Sequence, residues 1–72
     1  MITVVENKYN PYGYRYAVYF TWNDGTEDSF NVYSAKERDM NIKEMIERGD
    51  FKEISWCKIY SNGEYGGKIK VL

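Results

Sequence analysis

Residues 14–32 read YRYAVYFTWNDGTEDSFNV, and this stretch decides the fold. From position 14 to position 22, aromatic or apolar residues occupy every even position, an alternation typical of a β-strand with its even face toward the core. A second strand-like segment follows at 26–33, and its apolar residues Phe30 and Val32 are also even. Between the two segments lies Asn23-Asp24-Gly25, a sequence that favours a tight turn. The stretch therefore predicts a β-hairpin with one apolar face.

The length of the turn sets which residues of this hairpin face each other. A two-residue loop would move Phe30 onto the wrong face, because a shift of one residue reverses every side chain of a strand. A three-residue loop keeps the even positions together. We predict this loop, as a type I turn with Gly25 left-handed in a β-bulge. The predicted pairs are Val18 with Phe30 and Tyr16 with Val32.

Three further strands are predicted outside this hairpin. One covers residues 2–9 and ends at the turn Asn10-Pro11-Tyr12-Gly13, with a register that the sequence leaves open. The other two cover 51–60 and 64–72, and they are joined at Asn62-Gly63, the strongest short hairpin signal. With a two-residue loop there, the predicted pairs are Tyr60 with Tyr65, Trp56 with Ile69, and Ile54 with Val71.

One helix is predicted between the two hairpins, where the apolar period changes from two to 3.6 residues. Two starting points compete. Ser34 and Glu37 fit a capping box, whereas Asn41 fits a cap placed directly before an apolar stripe. We expect one helical turn near 34–38, followed by a short helix that begins at Asn41 and stops at Gly49.

The composition fits a single small domain over residues 1–72. A hydrophobic share of 43% is too high for a disordered chain, and 72 residues leave no room for a second domain. The predicted fold class is α+β: an antiparallel β-sheet, in the chain order β-β-β-α-β-β, with one short helix packed on one face. The opposite face of the sheet is expected to be exposed.

The composition also restricts the chemistry. The chain has no His and one Cys. It therefore lacks the residues needed for a Cys/His metal cage, a Cys/His nucleophile or an imidazole acid–base relay. Ten Lys plus Arg against eleven Asp plus Glu give neither a basic field for duplex nucleic acid nor the acidity of a DNA mimic. No apolar run approaches the ~20 residues of a membrane span. We expect a cytoplasmic protein that is not an enzyme and uses no cofactor, metal or membrane.

The open face of the sheet is the first candidate binding surface. It is expected to hold Arg15, Ala17, Tyr19, Tyr33, Ser55, Cys57, Ile59, Lys68 and Lys70. Tyr and Arg are concentrated at protein interfaces because they combine large contact area with hydrogen bonds. This pattern predicts a docking or dimerisation face, although Tyr is also an ordinary residue of strands. Cys57 is expected to be a small buried thiol and not an intermolecular bridge.

The Tyr-rich segment from Lys8 to Tyr16 is the second candidate surface. Aromatic residues that alternate with cations are typical of sheets that stack single-stranded bases, which makes single-stranded nucleic acid the alternative partner. Acidic neighbours such as Glu6 and Glu27 oppose that interpretation. The charged residues of 36–53 are interpreted as a solvated helix face with weak ion pairs. Across both surfaces, the predicted partner-binding residues are Tyr9, Tyr12, Arg15, Tyr19, Tyr33 and Ile59.

By size and architecture, and without a shared motif, the chain resembles small phage and prophage proteins that block bacterial defence systems. The features that carry this resemblance are a compact, nearly neutral chain, rich in Tyr, Asn, Lys and Glu, with several strands and one short helix. The resemblance implies an inhibitor or adaptor that binds a host protein, or sequesters a ligand, without catalysis, and that is often a homodimer. The near-zero net charge departs from the acidic DNA mimics of that group.

Overall fold

A computed structural model describes residues 13–72 and shows an antiparallel sheet with one helix. The elements are β1 (Tyr16–Trp22), β2 (Glu27–Val32), α1 (Ala35–Arg48), β3 (Phe51–Lys58) and β4 (Ile69–Lys70). The strands lie in the order β2-β1-β3-β4, and each neighbouring pair is antiparallel. This arrangement confirms the predicted α+β class. The strand predicted at 2–9 and the candidate residues Tyr9 and Tyr12 lie outside the described residues.

The first hairpin has the predicted register and the predicted turn. Tyr16 lies opposite Val32, and Val18 lies opposite Phe30. Gly25 N–H donates to Trp22 O at 2.9 Å, and Trp22 N–H donates to the carbonyl of the residue after the glycine at 2.8 Å. Gly25 has φ +95°, the left-handed backbone that a β-bulge of this type requires.

The helix begins earlier than we expect from the sequence and runs without a break. Ser34 is its N-cap: the Ser34 hydroxyl accepts from Glu37 N–H at 3.1 Å, and the Glu37 carboxylate accepts from Tyr33 N–H at 2.8 Å. The predicted start at Asn41 is wrong, because Asn41 is an interior residue of α1. Its side-chain amide donates to Glu37 O at 2.7 Å. The predicted stop is confirmed, because Gly49 is left-handed at φ +74° and its N–H donates to the last turn.

The main core lies between α1 and the sheet. Its buried members come from β1, the helix and β3: Val18, Ile42, Met45, Phe51 and Ile54. Four partly buried aromatic residues pack around them: Phe20, Trp22, Phe30 and Trp56. The even positions of β1 therefore face the helix from Val18 to Trp22, as predicted.

The second hairpin differs from its prediction at both ends. Its loop has three residues, like that of the first hairpin: Gly63 N–H donates to Tyr60 O and Tyr60 N–H donates to Glu64 O, both at 2.8 Å. Tyr65 consequently pairs with Ile59 instead of Tyr60. An irregular stretch at Gly66–Lys68 restores the predicted pairing of Trp56 with Ile69. Further along, the predicted Ile54–Val71 pair is kept in part: Val71 N–H donates to Ile54 O at 2.9 Å, whereas Ile54 N–H donates to Leu72 O at 3.1 Å.

Within residues 13–72, β2 lies at one edge of the sheet, where one backbone donor has a local side-chain acceptor. Ser29 N–H donates to the side chain of Asp28 at 2.8 Å. The turn before β2 is also anchored, because Asn23 donates through its backbone to Asp50 O at 2.9 Å and through its side chain to Gly49 O at 3.1 Å. The two hydrogen bonds of Asn23 tie the first hairpin to the end of α1.

Candidate binding surfaces

The face of the sheet opposite α1 carries a small second core. Ala17, Cys57 and Ile59 are buried there, and the rings of Tyr14 and Tyr19 pack against them. The prediction of an open face is therefore wrong at Ala17 and Ile59, because the rings of Tyr14 and Tyr19 pack against these side chains. Tyr14, predicted on the helix face, packs on this side because it precedes the regular alternation of β1. The expectation that Cys57 is a buried thiol is confirmed.

Of the two predicted partner-binding tyrosines within residues 13–72, Tyr19 is the more enclosed. Lys68 Nζ lies 4.1 Å from the centroid of its ring, and the Cys57 thiol donates to its hydroxyl with an Sγ–Oη distance of 3.7 Å. Burial, followed by the contact with Cys57, raises the pKa of Tyr19 from 10.0 to about 12. Tyr19 is thus partly covered and held in place by its own neighbours.

We expect the raised pKa of Tyr19 to weaken the fold at alkaline pH. Below pH 10 the phenol is protonated in both the folded and the unfolded chain, so it adds no pH dependence. As the pH rises from 10 toward 12, the unfolded chain releases this proton and the folded chain retains it, so the free energy of unfolding falls. Denaturation followed across this window should show a shallower decline in the Tyr19→Phe variant than in the unsubstituted protein.

The matched control for this experiment is Tyr60→Phe, because Tyr60 has an exposed side chain and is not among the groups that raise the pKa of Tyr19. In a titration by tyrosinate absorbance, Tyr19→Phe should remove the component that ionises latest. An equal change in both variants would mean that Tyr19 is not the enclosed phenol.

Tyr33 and Arg15 are both accessible. Tyr33 is exposed, and its ring stacks on that of Tyr14 with 4.7 Å between centroids and an interplanar angle of 23°. The hydrogen bond with Tyr14 raises the pKa of Tyr33 above its usual value. Arg15 is exposed immediately before β1. Of the four predicted residues within 13–72, the structure thus joins Tyr19, Ile59 and Tyr33 through Tyr14, but only Tyr33 and Arg15 present much surface.

Arg38 contradicts the interpretation of the helix charges as a uniformly solvated face. Its side chain is only 14% exposed, and its guanidinium carbon lies 4.0 Å from the centroid of Trp56 and 4.6 Å from that of Tyr16. Two guanidinium nitrogens, Nε and Nη2, also lie 2.9 Å from Oδ1 of the exposed Asp39 carboxylate. Arg38 therefore covers an aromatic pair at the edge of the main core, a role that an apolar residue usually has.

An apolar groove between α1 and β4 is the surface that sequence reasoning missed. Its volume is about 410 Å³, and its apolar lining consists of Ile42, Ile46, Trp56 and Val71. Three charged helix residues, Asp39, Lys43 and Glu47, form its rim. Four aliphatic side chains in and around this region are exposed: Ile46, Ile69, Val71 and Leu72. The sequence did contain a signal for this groove. The helix α1 and the last strand together carry more apolar side chains than the short β4 can cover.

The remaining comparisons concern metals, membranes and known proteins. Within residues 13–72, no group of three or more His, Cys, Asp or Glu residues is placed to hold a metal ion. The helix of this described region is too short and too polar to cross a membrane. No protein family model matches the chain, and neither the curated proteins nor the solved structures provide a significant match.

Proposed function

We propose that this protein is a non-enzymatic binding module, an inhibitor or adaptor that acts by contact with other proteins, as the small phage proteins it resembles do. The observation that supports this proposal is the exposed apolar groove between α1 and β4. Ile46 and Val71, which line it, are among the more exposed aliphatic residues of residues 13–72. Contiguous apolar surface of this kind marks sites of protein association.

A second copy of the chain is the occupant that this groove favours. Asp39, Lys43 and Glu47 follow each other at intervals of four residues, so they lie along one side of α1 with alternating charge. Two antiparallel copies of α1 can therefore set each Lys43 beside a carboxylate of the other copy. A chain of 72 residues also has a small core, and self-association is a common source of additional stability at this size.

This arrangement keeps a second surface available for a host protein. The groove lies on the helix-bearing side of the sheet, whereas Tyr33 stacks on Tyr14 on the side of the second core. A dimer formed through the groove would thus display two copies of the side that carries Tyr33. We propose that side for the contact with the host partner.

We expect sedimentation and light scattering to show a reversible dimer. Between about 10 µM and about 1 mM protein, the measured mass should rise from 8.6 kDa toward twice that value. Ile46→Glu should weaken the dimer by about tenfold or more, because it places a charge in the apolar centre of the contact.

Met40→Glu is the matched control, because Met40 is an exposed residue of the same helix that does not line the groove. This variant should dimerise like the unsubstituted protein. A mass that stays at 8.6 kDa over the whole concentration range, or equal weakening by both substitutions, would overturn the assignment of the groove.

A further inference from the structure

A second cleft opens where β1 begins and β3 ends. Its volume is about 380 Å³, and its walls are formed by residues 13–15 on one side and 58–61 on the other. The two walls are joined at the base, where Ile59 N–H donates to Arg15 O at 2.7 Å. The Ile59 side chain is buried in the second core, so the base of the cleft is fixed to the sheet.

Tyr60 supplies an accessible aromatic wall. Its side chain is about half exposed, and its ring lies against the backbone of Gly66. A Cβ at Gly66 would meet Tyr60 Cε2 at 3.4 Å, an ordinary van der Waals contact, which places the ring directly beside the glycine. Lys58 Nζ lies 5.6 Å from the centroid of the ring. The Tyr60 ring is thereby held in position at the cleft, with the Lys58 ammonium beside it.

The charge of this cleft is positive. Arg15 and Lys58 both line it, no carboxylate of residues 13–72 does, and neither cation has an ion pair within that range. By contrast, Glu27, Asp28 and Glu53 surround a pocket at the other end of β1. Thr21, which lines that pocket, lies six positions after Arg15 along the chain, a distance of about 20 Å in an extended strand. Glu27, one of the acidic residues that oppose nucleic-acid binding in the sequence, thus lies away from the cleft.

We propose that this cleft binds a nucleotide unit, a planar base joined to a phosphate through a sugar. The Tyr60 ring offers a stacking surface for the base, which is sequence-tolerant because every base has a π-face. Arg15 offers a planar fork of donors for phosphate oxygens, and Lys58 offers a second cation. The volume is within the range of small-molecule sites. Neither this chemistry nor this location depends on the groove at α1.

The test uses the full chain, labelled with ¹⁵N, and three probes: 5′-thymidylate, thymidine and a thymidylate decamer. At about 50 mM salt, 5′-thymidylate should shift the amide resonances of residues 13–15 and 58–61 with a dissociation constant of about 1 mM or lower. Thymidine, which lacks the phosphate, should bind more weakly. If the decamer binds at least about tenfold tighter than 5′-thymidylate, the natural source is a single strand; similar affinities indicate a free nucleotide. Either result supports the site.

Three substitutions locate the contact. Tyr60→Ala should weaken binding by about tenfold, whereas Tyr65→Ala removes an exposed ring from the same hairpin outside the cleft and should leave it unchanged. Arg15→Gln should weaken the binding of 5′-thymidylate and reduce its salt dependence, without affecting thymidine. The proposal is overturned if no resonance near the cleft shifts with any probe, or if Tyr65→Ala and Tyr60→Ala reduce affinity equally.

Discussion

Replacement of Ile54 by Ala should lower the free energy of unfolding by about 2 to 5 kcal/mol. Ile54 is completely buried in β3, where it packs in the main core beneath α1. Its removal deletes apolar contacts and leaves a cavity that the neighbouring strands cannot fill, because β1 pairs with β3 along its length. A single core of this size rarely supplies more than about 3 to 5 kcal/mol, so the variant should be largely unfolded at room temperature.

Ile69→Ala is the matched control for Ile54→Ala. It makes the same chemical change on the neighbouring strand β4, at a side chain that is 49% exposed. Urea denaturation followed by circular dichroism should show a loss below about 1 kcal/mol for this control. If the two variants have the same denaturation midpoint, the assignment of the core to the α1 side of the sheet is wrong.

Replacement of Arg38 by Ala should cost about 2 kcal/mol of stability, an unusually large effect for a charged residue of a helix. The side chain is largely enclosed, and its guanidinium lies over the rings of Trp56 and Tyr16. The variant would lose the cation–π contacts and expose two aromatic faces to water. Most of the effect should come from this packing, because the ion pair with the exposed Asp39 contributes little.

Two further substitutions separate packing from charge at this position. Arg38→Lys preserves the charge but lacks the planar group, so its stability should fall between those of the unsubstituted protein and Arg38→Ala. Lys36→Ala removes an exposed cation from the first turn of the same helix and should have an effect within about 0.5 kcal/mol. Equal stability of Arg38→Ala and Lys36→Ala, with unchanged Trp fluorescence, would show that Arg38 does not cover the aromatic pair.

The first hairpin could be predicted to the level of individual pairs because two independent signals agreed. The alternation of β1 and the position of Phe30 and Val32 admit only one register, and Asn23-Asp24-Gly25 can form the loop that this register needs. The second hairpin lacks that agreement. Asn62-Gly63 is compatible with loops of two or three residues. The irregular backbone at Gly66–Lys68 allows Trp56 to pair with Ile69 for either loop length.

The surfaces were harder to predict because exposure depends on residues that are distant in the chain. Alternation correctly assigned Ala17 and Cys57 to the side away from α1, but it could not show that the rings of Tyr14 and Tyr19 cover them. Arg38 was assigned to solvent from its charge, and the rings beneath it come from two different strands. The groove at Ile46 required the position of β4, whose short length no pattern indicated.

The bond from Ser29 N–H to the Asp28 carboxylate has a consequence for the behaviour of the protein at high concentration. A strand at the end of a sheet presents backbone donors that recruit other chains into cross-β aggregates. Within residues 13–72, β2 is such a strand. One of its outward donors is occupied locally, and the carboxylates of Glu27 and Asp28 repel an approaching copy of the same strand. Growth of fibrils from this edge of the described sheet is therefore disfavoured.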